Sequence, residues 1–381
     1  MVDTRGAVGF HRPGEVLDYG VYIHLPWCRI RCPYCAFVVS ADPNPPHAQA
    51  TAALLHEWSL RRSHFEGAAS TAFFGGGTPS RTPADHLGRI LRGIAPRTDA
   101  EVSLEANPDE LDDDGLSALR DAGINRLSLG VQSFSEAVAQ RLGRTRSART
   151  GRAMATAALA RFDSVSVDLL FAAPGQTLEA FSADLDIVID LGVPHVSLYG
   201  LTIEPGTPFA RAGYPPPDED RWADMYAHAV ARLGEVGISR YEVSNFARAG
   251  HRCRHNEHYW RARPWAGLGP GAHAWWPDGT RAANTDDVSA WLGGADPLRE
   301  AGRPAPRVLA AELIGSTVRH VDGLDLGVLH HWTGLITTPA PAHVKAGLVR
   351  QVGAHIVLES AGFPVADGIA AALCARLVPR R

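Results

Sequence analysis

Five cysteines in 381 residues are too few to staple a fold together. A chain of this length needs no staples, because it can bury most of its apolar surface. A basic excess is missing too: 37 Lys and Arg stand against 41 Asp and Glu, a net charge of -4. That excludes a protein built mainly to neutralise phosphates, so no nucleic-acid partner is expected. No apolar run approaches the ~18 residues needed to span a bilayer. The opening stretch, MVDTRGAVGFHRPGE, has no cationic start followed by an apolar core. No signal peptide is therefore expected, and the expected compartment is a reducing cytoplasm. No fixed-period repeat is present. What remains, 45% hydrophobic and 20% charged residues, is an ordinary globular composition. At roughly 150 residues per domain it makes two or three domains, or one large barrel with an extension.

A rhythm of short apolar or alternating runs begins at residue 20: GVYIHL (20–25), TAFF (71–74), EVSLE (101–105), RLSLGV (126–131), SVSVDLL (164–170) and HVSLYGL (195–201). Their Val, Leu, Tyr and Phe content predicts strands lying under helices. Helical patterns separate them at 47–62, 110–121, 149–161 and 178–191, the second ending at Ala122-Gly123, a helix stop. Such alternation predicts βα units and a parallel sheet, either a partial barrel or a doubly wound sheet. Further on, a helix is expected from 221 to 233, a strand over RYEVSNFA (240–247) and a linker over 293–306. The tail contains helix-like runs and a short HIVLES strand, which suggests a small α/β or winged-helix unit.

Polar residues fall at the strand ends. The second strand runs into Gly75-Gly76-Gly77-Thr78-Pro79, the third ends at Glu105, Gln132 follows the fourth, and the fifth and sixth carry Asp168 and Tyr199. In a parallel barrel these positions share the rim where ligands bind. A glycine triplet there lets backbone amides approach a ligand closely. Each residue alone is ordinary; their common location is what points to a site.

Three of the five cysteines, Cys28, Cys32 and Cys35, stand in HLPWCRIRCPYCAF directly after the first strand. Thiolates at CxxxCxxC spacing can converge from one loop. Zinc usually takes four ligands, with His24 as a candidate fourth. An iron–sulfur cluster with one iron left open fits three cysteines better. Cys253 and Cys374 lie far away in sequence; a redox-active Cys253 is one reading, and buried structural thiols are the simpler one.

This spacing, an aromatic (Phe37) two residues past the third cysteine and GGGTP after the second strand resemble the radical S-adenosylmethionine (SAM) superfamily. The segments VYIHLPWCRIRCPYCAF, FFGGGTPS, EVSLEANPDEL, GINRLSLGVQSF, VDLLFAAPGQTLE, LYGLTIEPGTPFA and YEVSNFARAGHRCRHNEHYWRA…GLGPGAH run in the order of the oxygen-independent coproporphyrinogen oxidase-like family, over residues 18–275. Two features resemble its HemW-like branch of heme chaperones. Phe37 stands where the coproporphyrinogen dehydrogenases carry a fourth cysteine, and His255-Asn256-Glu257-His258-Tyr259 matches an HNxxY element.

The resemblance implies a partial (β/α)6 radical SAM barrel over 16–250, a His/Trp/Gly-rich segment (251–300) completing the core, and a C-terminal accessory domain (301–381). It implies a [4Fe-4S] cluster on Cys28, Cys32 and Cys35, with Tyr22 near it. Gly76, Gly77 and Thr78 would contact the methionine part of SAM, and Glu105 would meet its ammonium. Gln132, Arg144 and Asp168 would touch a second SAM or its surroundings. Implied partners are heme, heme-accepting apoproteins, some at the membrane surface, and a reductase as electron donor. The chain departs from the family at Ala36, at Ala172-Ala173-Pro174-Gly175, and at Gly143-Arg144-Thr145-Arg146, where a GRxH element loses its histidine. These departures keep two enzymatic alternatives open: a radical SAM methyltransferase and, less fitting without the fourth cysteine, a coproporphyrinogen dehydrogenase.

His255 is the candidate heme ligand, since neutral imidazole is a common axial ligand. Tyr259, Trp260, Trp265, Trp275 and Trp276 offer flat apolar surface, and Arg252, Arg254 and Arg261 could pair with propionates. The competing reading is a hydrogen-bonded core histidine beside tryptophans that seal the junction with the tail.

Overall fold

The computed structural model describes residues 18–379. The N-terminal segment examined for a leader lies outside the described residues, as do the first two residues of the expected barrel domain. Six strands follow one another in chain order: β1 (Gly20–Leu25), β2 (Thr71–Gly76), β3 (Glu101–Ala106), β4 (Arg126–Gln132), β5 (Ser164–Phe171) and β6 (His195–Gly200). Each is parallel to the next. Helices α1 (His47–Arg61), α2 (Ala84–Ile94), α3 (Asp113–Asp121), α4 (Glu136–Arg141), α5 (Thr145–Leu159) and α6 (Leu178–Asp190) fill the crossovers. Sequential parallel pairing through helical crossovers is barrel winding, not the reversed order of a doubly wound sheet.

The period-2 pattern of the strands sorts their side chains. Val21, Ile23, Phe74, Leu104, Leu127, Leu129, Val165 and Val167 are fully buried in the apolar core. Burying a side chain of this kind contributes roughly 1.5–3 kcal/mol. The alternate positions, among them Tyr22, Ser103, Glu105, Ser128, Asp168, Ser197 and Tyr199, line cavities inside the barrel. The interior is therefore polar and hollow.

The barrel stays open. After α7 (Pro208–Arg211) and α8 (Glu219–Gly234), β7 (Ser239–Arg240) and β8 (Asn245–Ala247) add antiparallel strands beyond β6. The helix α9 (Arg254–Trp260) then leads to β9 (Trp265–Leu268), which pairs parallel to β1 at the other edge. The strands β10 (His273–Trp275), β11 (Arg281–Asn284) and β12 (Leu298–Gly302) continue that edge antiparallel. The tail folds into helices, including Pro306–Thr317, Leu326–Thr333 and Ala366–Ala375, with one three-stranded and one two-stranded sheet. It seats on the barrel through Trp332 against Trp275, ring centres 5.1 Å apart.

Several expected boundaries shift. The helix expected at 110–121 starts at Asp113, because Pro108–Glu110 makes a 3-10 turn and the Asp112 side chain caps the helix on Gly115 N. The helix expected at 149–161 runs from Thr145 to Leu159. The strand expected over 240–247 is two short strands, β7 and β8, pairing with each other around the residues between them. The expected linker at 293–306 contains β12, the outermost strand of the large sheet, whose side chains are mostly exposed and so carry no hydrophobic signal.

Candidate functional site

The cysteine loop is a closed excursion between β1 and α1. Its neck is pinned by Cys28 N to Ser40 O (2.9 Å) and Ser40 N to Pro26 O (2.7 Å). Its far side is held by Phe209 N, which donates to Pro33 O at 3.0 Å, while Tyr34 packs with Phe209 in a small apolar cluster. The return leg is held by His24. Its Nε2 shares a hydrogen bond with Val38 O at 2.8 Å and its Nδ1 one with Tyr22 OH at 3.0 Å. Both ring nitrogens are thus engaged, and His24 is not a fourth ligand.

The glycine triplet abuts this neck. Gly77 N donates to Leu25 O and Thr78 N to Trp27 O. A Cβ on Gly77 would stand 2.7 Å from the Pro26 carbonyl carbon. Gly76 has φ +112° and packs on the His24 ring, so a side chain there is excluded on both counts.

Cys28, Cys32 and Cys35 line one cavity of about 660 Å³, together with Phe37, Gly76, Gly77, Thr78, Glu105, Gln132, Arg144, Asp168 and Tyr199. The strand-end residues singled out in the sequence therefore do share one rim. The thiols are free. Burial pushes the Cys28 thiol up to about 11, with the charges of Cys35 and Cys32 adding to it, and burial raises Cys35 as well. Yet no three His, Cys, Asp or Glu side chains among the described residues gather as a single-ion centre. A lone zinc needs every sulfur about 2.3 Å from one point. Three thiols lining one cavity, with His24 engaged elsewhere, suit a polynuclear cluster in which each sulfur would meet its own iron.

A polar bracket links two of the cysteines. Thr78 Oγ1 lies 3.8 Å from Cys28 Sγ and accepts from Asn107 Nδ2 at 2.9 Å. Asn107 Oδ1 accepts from Arg144 Nη2 at 2.7 Å, and Arg144 Nη1 reaches Cys32 Sγ at 3.9 Å. Arg144 Nη2 also bonds to Gly130 O. Sequence reasoning missed Asn107, Tyr34 and the holding role of His24. Only NPDE after the third strand hinted at a special turn.

Two of the acids in the wall are strand residues, Glu105 of β3 and Asp168 of β5. Glu105 Oε2 accepts from Gly76 N at 3.2 Å. Burial, with the charge of Asp168 next, pushes its carboxyl up to about 8. Asp168 accepts from Ser128 Oγ at 2.9 and 3.0 Å and from Ser166 Oγ at 3.1 Å; burial outweighs these bonds and raises its pKa. Gln132 takes φ +69° where the β4–β5 register slips. The loop beyond it is tied down by Asp184 of α6, which accepts from Ser133 Oγ at 2.7 Å and from Phe134 N at 2.8 Å.

Tyr22 and His255 lie elsewhere. They line an inner cavity of about 190 Å³, whose wall shares Glu105, Asp168 and Tyr199 with the rim cavity. Tyr22 therefore stands below the cysteine cavity, not in it. His255 sits at the starting ends of β1 and β2, against Gly20 and Thr71, opposite the ligand rim. It is fully buried. One ring nitrogen bonds to Thr71 Oγ1 at 2.7 Å and the other to Tyr259 OH at 2.8 Å. Burial drives its pKa well below the ordinary value. Tyr259, Trp265, Trp275 and Trp332 pack in series toward the tail. The expected propionate partners are also occupied. Arg252 and Arg261 pair with Glu257 at 3.6 and 3.1 Å, and Arg254 donates to Asp99 O.

Residues 22–188 match the Radical SAM superfamily. The chain is 38% identical over 268 residues to the heme chaperone HemW of Escherichia coli K12, covering 68% of this chain and 71% of that one. It is 34% identical over 382 residues to the heme chaperone HemW of Mycobacterium tuberculosis, covering 94% of each. Among solved structures it superposes on coproporphyrinogen III oxidase (HemN) of Escherichia coli, a radical SAM enzyme, with TM-score 0.79 and 22% identity, covering 94% of this chain and 90% of that chain.

Proposed function

We propose a heme-chaperone function from one premise: the chain belongs to the HemW family of radical SAM proteins. The observation that carries the proposal is similarity along nearly the whole chain to a relative named a heme chaperone. The cofactors of the superfamily are a [4Fe-4S] cluster and SAM. Such a cluster would supply electrons to SAM bound beside it.

Cys28, Cys32 and Cys35 hold the cluster in this reading, each from a loop fixed at its neck and far side. Gly76, Gly77 and Thr78 offer backbone and hydroxyl groups to the amino-acid end of SAM, and Glu105 receives its ammonium. Gln132, Arg144 and Asp168 face the rest of the same cavity. Tyr22 acts from beneath, through His24, on the return leg of the cysteine loop. Heme is held and passed to an apoprotein, with a reductase supplying electrons. The protein works in the cytoplasm, and some recipients stand at the membrane surface; no helix among the described residues is long and apolar enough to cross a membrane. Phe37, 68% exposed at the mouth of the cavity, stands where a dehydrogenase would need its fourth cysteine, which speaks against coproporphyrinogen chemistry.

The test is anaerobic reconstitution with iron and sulfide, followed by heme titration and transfer to an apo-hemoprotein. Stoichiometric heme binding and transfer support the chaperone. Absent heme binding, together with turnover of coproporphyrinogen or methyl transfer from SAM, would replace it with an enzyme.

A further inference from the structure

Asn107 follows β3 and stands in the wall of the cysteine cavity. Every hydrogen-bonding side of its amide is engaged. Nδ2 donates to Thr78 Oγ1 and to Glu110 Oε1, each at 2.9 Å, and Oδ1 accepts from Arg144 Nη2 at 2.7 Å. These partners fix which way the amide faces. Turned over, it would set its oxygen against the Glu110 carboxylate and its NH2 against a guanidinium. Glu110 is held in turn by Arg81 at 3.3 Å.

This orientation decides what the two neighbours can do. The Thr78 hydroxyl receives a hydrogen from Asn107, so its own hydrogen points elsewhere, and Cys28 Sγ lies 3.8 Å away. Arg144 uses Nη2 on Asn107 and on Gly130 O, which leaves Nη1 at 3.9 Å from Cys32 Sγ. One amide thus presents a donor to each of two sulfurs. Donors and positive charge beside thiolate ligands stabilise added negative charge, and hydrogen bonds to sulfur are among the factors that set the potential of an iron–sulfur cluster.

We propose that Asn107 is a positioning residue that sets the reduction potential of the cluster, by turning the Thr78 hydroxyl and the Arg144 guanidinium toward the sulfurs of Cys28 and Cys32. The two donors raise that potential, so the cluster takes up its one electron from a milder reductant. The proposal rests on the [4Fe-4S] reading of the three cysteines and is independent of where heme binds.

The experiment is a redox titration of the anaerobically reconstituted full chain without SAM, with dithionite as the electron source, followed by the paramagnetic resonance signal of the reduced cluster. Leaving SAM out keeps changes in its binding from entering the result. Asn107→Ala should cut the ratio of reduced to oxidised cluster at a fixed potential roughly tenfold, the scale of one charge-assisted contact. Thr78→Val should shift it in the same direction, and Thr78→Ser, which keeps the hydroxyl, should stay near wild type. On the Thr78→Val background, Asn107→Ala should cost less than it does alone. Iron and sulfide content verifies that each variant is loaded; if Asn107→Ala does not load, the two Thr78 variants decide. A wild-type ratio in loaded Asn107→Ala or Thr78→Val would overturn the proposal. So would a shift in Thr78→Ser as large as in Thr78→Val, or full additivity in the double variant, because either would mean that Asn107 does not act through the hydroxyl. A wild type that assembles no cluster would overturn the cluster reading itself.

Discussion

Glu105 accepts a hydrogen bond from the backbone N–H of Gly76 at 3.2 Å, so a single carboxyl group ties the end of β3 to the end of β2 at the rim. Only the side chain of a strand-end residue can do this while still facing the cavity. The bond stiffens the glycine turn and leaves the other carboxyl oxygen for a ligand.

The same burial makes SAM binding pH-dependent. The folded-state pKa of Glu105 lies near 8, above its ordinary 4.5. A group raised in this way favours the fold when protonated; that contribution is complete below about pH 4.5 and is lost as pH rises through about 8. An arriving ammonium group must displace the proton. SAM binding should therefore release about one proton near pH 6–7, and apparent affinity should climb toward pH 8 and then level off. Calorimetry in buffers of different ionisation enthalpy counts the proton. Glu105→Gln should release none and should bind roughly tenfold to a hundredfold more weakly above pH 8. Equal proton release in the variant would assign the titration to another group.

Cys32→Ala removes one of three anchors and also the sulfur that Arg144 approaches. Anaerobic iron and sulfide content should collapse, with loss of the visible charge-transfer absorption, while the barrel stays folded. When iron, sulfide and zinc are offered together, wild type should retain iron. Stoichiometric zinc in its place would overturn the cluster assignment.

His255→Ala tests whether that residue holds the fold or a heme iron. It strands Thr71 Oγ1 and Tyr259 OH in a buried setting, at about 1–3 kcal/mol for each unpaired group. The thermal midpoint should fall by several degrees. Where the variant folds, its heme titration should match wild type. A variant with unchanged stability and no heme binding would mark His255 as a ligand.

Much of the site was written locally. CxxxCxxC is a spacing within one loop, the glycine triplet follows a strand, and Glu105 ends one, so each could be read without knowing what lies opposite. The residues that hold the site act over long sequence separations. His24 bonds to Val38, Asn107 joins Thr78 to Arg144, and Pro33 meets Phe209; no local pattern marks such pairs. The placement of His255 was equally hidden: its motif lies close to arginines and tryptophans in sequence, and the fold carries it to the starting ends of β1 and β2. The edge strand β12 went unread because LREAG is mostly exposed and lacks alternation.

Asp184 supplies the last prediction. It lies on α6, 1% exposed, and fixes Ser133 and Phe134, the two residues after the left-handed Gln132. A non-glycine residue at positive φ persists only when its surroundings over-determine it. Asp184→Ala leaves the Phe134 N–H and the Ser133 hydroxyl without their acceptor, so the Gln132 turn should relax. SAM affinity should drop roughly tenfold, with a lower thermal midpoint. Asp184→Asn should be mild. Burial already pushes this carboxyl up to about 6, so the pocket tolerates a neutral group. The amide oxygen can still accept from Phe134 N, and the Ser133 hydroxyl can turn to accept from the amide nitrogen. The pair of variants is compared with Gln132→Ala by SAM titration. If Gln132→Ala weakens SAM and Asp184→Ala adds nothing further on that background, the carboxylate acts through Gln132. Additive losses would instead mean that Asp184 supports the barrel in general, and the positioning role would be withdrawn.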